Sequence, residues 1–74
     1  MPASRRYRYL TCDEDGMRCE WRTPPVYVAG RWEREPGQRR VPCRIVSRRR
    51  EDKLVSLGVR LPAPGGIVDM EGAE

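Results

Sequence analysis

The chain contains no histidine and no phenylalanine, and holds three cysteines, three tyrosines and two tryptophans among 74 residues. Without histidine, the commonest general base and the usual activator of a serine or cysteine nucleophile are missing. The three cysteines, Cys12, Cys19 and Cys43, have no histidine to complete a zinc shell. Six residues separate Cys12 from Cys19, more than the roughly two to four of a ligand pair. They are read as small buried hydrophobes, with no metal site. Paired catalytic carboxylates and a glycine-rich phosphate loop are also absent. Asp13, Glu14 and Asp15 are consecutive and read as a solvated turn, and Gly65-Gly66 lacks the context of a nucleotide-binding fingerprint. No reaction class can be assembled, so a non-enzymatic protein without a cofactor is expected.

Long hydrophobic runs are missing too. Nothing approaches the roughly 18 apolar residues of a membrane span, and Met1-Pro2-Ala3-Ser4-Arg5-Arg6 is not followed by the apolar core of a secretory signal. A cytoplasmic or host-intracellular setting, virion association included, is expected. The length suits one small domain with a limited core, the kind that gains stability from a partner or a second copy.

What is present is alternation with a period of two, the mark of half-buried strands. Five candidates stand out: Arg6–Cys12, Met17–Arg22, Val26–Glu33, Arg40–Arg48 and Lys53–Leu61. They are separated by Asp13-Glu14-Asp15-Gly16, Thr23-Pro24-Pro25, Glu35-Pro36-Gly37-Gln38 and a charged loop, Arg49-Arg50-Glu51-Asp52. Gly30 marks a bulge or a bend inside the third candidate. The fifth has a competitor, a short helix over Ser47–Gly58 with Ser47 as N-cap and Gly58 past its end. Three arginines in its first turn oppose the helix dipole, and Val55, Leu57, Val59 and Leu61 alternate strictly, so the strand is preferred. The expected fold is all-β, a small antiparallel five-stranded meander or partly closed barrel over residues 1–61. Its interior would hold Tyr7, Tyr9, Trp21, Val28, Trp32, Ile45, Val55 and Leu57. Residues 62–74 read as an acidic, Pro/Gly-rich tail with a mobile end, in which Ile67-Val68 and Met70 could dock as an apolar clip.

Charge is uneven. Residues 1–61 hold all fifteen basic and eight of the eleven acidic side chains, a net +7, against +4 for the whole chain. Every basic residue but Lys53 is arginine, a bias that a GC-rich coding sequence also produces. On a sheet with its apolar face inward, the arginines and Tyr27 point outward. The partner- or phosphate-binding candidates are Arg8, Arg18, Arg22, Tyr27, Arg31, Arg39, Arg40, Arg44, Arg48, Arg49 and Arg50. Glu20 and Glu33 share that face, as in ordinary cross-strand ion pairs.

Two readings compete. In the preferred one, this is a non-catalytic protein-binding module, such as an assembly subunit or a phage-type accessory or inhibitor protein. It would bind another protein or a second copy through arginine and aromatic anchors. In the alternative, the arginine face contacts the phosphates of DNA or RNA and Tyr27 stacks on bases. Neither a membrane nor a small-molecule substrate is implied. Arg40-Val41-Pro42-Cys43-Arg44 has a spacing similar to the arginine motif of PilZ cyclic-dinucleotide domains, and Ser56–Leu61 resembles their later strand. The companion motif's acidic or amide residue and its glycine are here Leu54 and Val59, so membership is not assigned.

Turn choice decides what the cysteines do. A two-residue Asp15-Gly16 turn would place Cys12 opposite Cys19 and permit a disulfide. A three-residue Glu14-Asp15-Gly16 loop places Thr11 opposite Cys19 and Tyr9 opposite Trp21. The second register groups the aromatic residues on one face and is preferred. Thiol counting on the unreduced protein is expected to give three; a loss of two would establish the first register.

Overall fold

The computed structural model describes residues 7–37 and 43–70. These form β1 (Tyr9–Cys12), β2 (Arg18–Trp21), β3 (Val26–Val28), β4 (Arg31–Glu33), β5 (Cys43–Ile45), α1 (Arg48–Ser56) and β6 (Ile67–Asp69). All pairings are antiparallel. Four strands make one sheet in the order β5-β2-β1-β6, and β3 pairs with β4 in a separate ribbon. The small, mostly β, antiparallel class is as expected, with one short helix and six strands rather than five. The sheet stays open and does not close into a barrel.

The first hairpin adopts the three-residue register. Tyr9 pairs with Trp21, Thr11 with Cys19 and Cys12 with Arg18. Gly16 takes φ 91°, Gly16 N–H donates to the Asp13 carbonyl and Asp13 N–H to the Met17 carbonyl. Cys12 and Cys19 are therefore on opposite faces of the sheet, and all three cysteines are free.

Val26–Glu33, expected as one strand, is instead a tight hairpin that turns at Ala29-Gly30. Both residues have positive φ, 50° and 82°, as the two-residue turn that suits strand twist demands. Alanine is a poor residue for that conformation, which hides the turn from the sequence. The fold changes the faces accordingly. Tyr27 lies opposite Trp32 and Val28 opposite Arg31, so Val28 does not share a face with Trp32 and is exposed.

The preference for a strand over Lys53–Leu61 is overturned, as is the charged loop at 49–52; the helical alternative is what forms. Ser47 Oγ accepts the Arg50 N–H at 3.2 Å as an N-cap. At the other end Gly58 (φ 89°) donates to the Val55 carbonyl, and Val59 N–H donates back to the Leu54 carbonyl. This pair of bonds satisfies the last carbonyls, and Leu54 and Val59 meet in the core as such a cap favours. The alternating Val55, Leu57, Val59 and Leu61 straddle the helix end. Val59 is buried, while Val55 and Leu57 are exposed rather than interior.

A helix in place of a fifth strand puts the main core on the face expected to point outward. It covers the Leu10 face of the sheet, and the main core is Leu10, Val46, Leu54, Val59 and Met70, flanked by Tyr7, Leu61 and Val68. The opposite face, carrying Thr11 and Trp21, is also covered: both are buried, and Trp21 Nε1 donates to Thr11 Oγ1 at 2.9 Å. The β3–β4 ribbon lies on this side. Asp13 Oδ1 accepts the Trp32 N–H, Glu14 N–H donates to the Gly30 carbonyl, and Arg34 Nη2 reaches Cys43 Sγ at 3.3 Å. Ile45, on the same face, escapes this cover and is 69% exposed, contrary to its expected interior place. The stretch read as a tail is docked as far as Met70, as the clip reading anticipated. β6 pairs with β1, and Met70 is buried. Residues 71–74 lie outside the described residues.

Ala29→Asn places a residue that tolerates positive φ in the ribbon turn. It should stabilise the fold by about 0.5–1 kcal/mol, read as a higher urea midpoint at unchanged slope.

Candidate interaction surface

Strand alternation puts Glu20 on the Leu10 face, beneath α1, where it is fully buried. A carboxylate so removed from water costs several kcal/mol unless charged donors meet it. Two do. Arg44, directly opposite in β5, donates Nε to Oε1 at 3.1 Å. Arg50, from the start of α1, donates Nε to Oε1 and Nη2 to Oε2, each at 3.1 Å. This two-point grip fixes the roll of the helix over the sheet. Arg44 also lies 4.3 Å from the centre of the Tyr7 ring, and Arg22 lies 5.1 Å from the same centre. Tyr7, Arg22, Arg44, Arg50 and Glu20 thus form one continuous cluster at the sheet–helix boundary.

Other candidate arginines are also engaged. Arg18 bonds Glu51 on α1 at 3.0 Å, and its Nε and Nη2 reach the Pro62 carbonyl. Arg8 grips Asp69 in β6 through Nε and Nη2 at 3.1 and 3.0 Å and lies over the Tyr9 ring. Tyr27 is exposed but not free. Its hydroxyl donates to Glu14, and that bond, more than any other influence, pushes its pKa up to about 12. Its ring tilts against Trp32 at 5.0 Å between centres.

Arg31, Arg48 and Arg49 are exposed and make no ion pair among the described residues, but they are apart, on the ribbon and on the first turn of α1. Arg39 and Arg40 fall outside the described residues. The expected continuous arginine field is therefore divided into a fixed cluster around Glu20, two further pairs and a few scattered side chains.

Sequence reasoning missed two features. Tyr7, expected as an interior hydrophobe, does pack against the core, and it is also the ring on which Arg22 and Arg44 converge. The exposure of Met17, Val28, Ile45, Val55, Leu57 and Ile67 was missed, whereas Tyr27 stands at the surface as expected. The signal for the first was the Tyr–Arg alternation at residues 6–9. For the second there was none, because the period-two pattern reads the same for a covered and an uncovered face.

Two of the thiols, Cys12 and Cys19, are held protonated. Burial pushes the Cys12 pKa up and raises that of Cys19 to about 11, so neither is a ready thiolate. Among the described residues no three cysteine, aspartate or glutamate side chains gather closely enough to hold a metal ion, and no helix is long and apolar enough to cross a membrane. Comparison with protein families, curated proteins and solved structures yields no match to this chain.

Glu20→Gln removes the charge that holds two guanidiniums and is expected to destabilise the fold by about 3 kcal/mol, measured by urea denaturation. A loss under about 1 kcal/mol would show that the buried pair does not hold the helix on the sheet.

Proposed function

We propose that this protein is a non-catalytic protein-binding module whose contact surface combines apolar side chains with arginine and tyrosine held in fixed geometry. One observation carries the reading. Arg8, Arg18, Arg44 and Arg50 are engaged by the protein's own carboxylates, while seven large hydrophobic side chains among the described residues remain exposed. A surface built for phosphates presents available cations; an interface presents apolar area with pre-ordered aromatic and arginine anchors. The Arg22–Tyr7–Arg44 arrangement fits the second description, because its rotamers are already restricted and less entropy is lost on binding. Absent histidine, the raised pKa values of Cys12 and Cys19 and a carboxylate saturated by arginine support a non-catalytic role.

DNA or RNA binding is the reading to test against. The full chain is required, because deleting residues 66–74 would remove β6. Fluorescence anisotropy with labelled single- and double-stranded oligonucleotides is expected to show no tight complex at about 50 mM salt. A protein purified in fixed ratio from the native source should stay bound in high salt and be released by Tyr7→Ala. Tight oligonucleotide binding that falls as a steep power of salt would overturn the proposal in favour of the nucleic-acid reading.

A further inference from the structure

Arg22 differs from the other arginines gathered around Glu20. It follows β2 directly and continues the alternation that puts Glu20 on the Leu10 face. Its guanidinium lies 5.1 Å from the centre of the Tyr7 ring, yet it forms no ion pair among the described residues. Its Nε is shut off from water and has no acceptor, while the side chain as a whole is only half-buried and keeps its terminal nitrogens within reach of solvent. Arg44 lies 4.3 Å from the same ring centre. It commits only Nε to Glu20, and its side chain is 47% exposed. Tied to one ring, the two guanidiniums can be no farther apart than those two distances combined. The arrangement is electrostatically incomplete. Two like charges stand beside one ring, and partial removal of Arg22 from water raises the cost of its charge. The face of Tyr7 offsets part of that cost. Glu20 is already committed elsewhere, since Oε1 accepts from Arg44 and Arg50 and Oε2 from Arg50.

We infer that Arg22 and Arg44 form a clamp for the carboxylate side chains of an acidic segment in a partner protein. The inference deepens the protein-binding reading and rests on it. A guanidinium fork matches a carboxylate in shape as well as charge. The Tyr7 ring holds both forks in place before binding, so little side-chain entropy is lost when the anion arrives. A carboxylate against the terminal nitrogens of Arg22 supplies the counter-charge that the fold itself withholds. Two observations favour a polypeptide over a nucleic acid. Tyr7 packs against the core and carries guanidiniums over its ring, so it is poorly placed to stack on a base. Arg18 and Arg50, on the same side of the sheet, are held by Glu51 and Glu20. The clamp is therefore an isolated pair and not a stretch of a cationic track that could follow a phosphate backbone.

Titrating the full chain with a blocked oligoglutamate peptide tests this, with the arginine Nε–H resonances as the readout. The titration is run at about 50 mM salt, where surface charges are less screened than at physiological strength. The Arg22 and Arg44 signals should move together to saturation, and oligoglutamine of equal length should leave them in place. This measurement on the wild-type chain needs no substitution. Arg22→Gln should then weaken oligoglutamate binding about tenfold. The fold should survive the change, because Arg22 makes no ion pair among the described residues; an unchanged urea midpoint checks it. Arg60→Gln removes an equal charge from an exposed side chain beyond the far end of α1, and should weaken binding by less than about twofold. Unmoved Arg22 and Arg44 signals, or equal losses in the two variants, would overturn the clamp. Either result leaves the protein-binding reading to be decided by the co-purified partner. Tighter binding of a single-stranded oligonucleotide through the same two arginines would overturn both.

Discussion

Glu20 occupies a position where a small β protein would ordinarily place an aliphatic side chain. Its burial creates a demand for charged donors, and Arg18, which shares its face of β2, is engaged by Glu51 instead. The demand is met by Arg44 from the neighbouring strand and Arg50 from the helix. That requirement orients α1, sets Leu54 over Leu10, and holds the start of a helix whose three arginines would otherwise oppose its dipole. Replacing such a pair by hydrophobic residues is often neutral or better for stability, so the arrangement contributes definition of geometry more than free energy. A nine-residue helix with one fully buried leucine has little else to determine how it lies.

The same arrangement decides what the surface can offer. Arginines that look in the sequence like a broad cationic field are in the fold the counterparts of Glu20, Glu51 and Asp69, and part of the charge is neutralised within the molecule. With that field divided, the remaining features of the surface are apolar: isoleucines at the sheet rim, Val55 and Leu57 near the end of the helix, and the Tyr27–Val28 end of the ribbon. A chain of this size leaves such groups exposed partly because there is too little of it to cover both sheet faces completely.

Much of this was legible in the sequence where the signal is local. The antiparallel β class, the first two strands and the register of their hairpin follow from alternation and from grouping the hairpin's aromatic residues on one face. So does the possibility of docking Ile67, Val68 and Met70. Competing local signals misled at two places. Ala29-Gly30 does not announce a tight turn, and the valine–leucine alternation from Val55 to Leu61 imitates a strand although Ser47 and Gly58 are the better guides. The candidate site was hardest to read because it depends on tertiary contacts. Nothing local distinguishes the arginines that reach Glu20 from Arg48 and Arg49 beside them, and mistaking the helix for a strand hides that the Leu10 face carries the main core.

The chain joins its first described strand to its last: β1 lies between β2 and β6, and Met70 completes the core that Leu10 begins. That topology has a consequence for synthesis. A growing polypeptide emerges N-terminus first, so β1 and β2 can meet early, but one side of β1 and the floor of the Leu10 core stay open until residues 67–70 are free of the ribosome. Contacts that span most of the sequence close slowly, because loop entropy must be overcome before they form. The fold is therefore completed only once residues 67–70 have emerged, and until then its arginines and isoleucines are accessible to whatever meets the unfinished chain first.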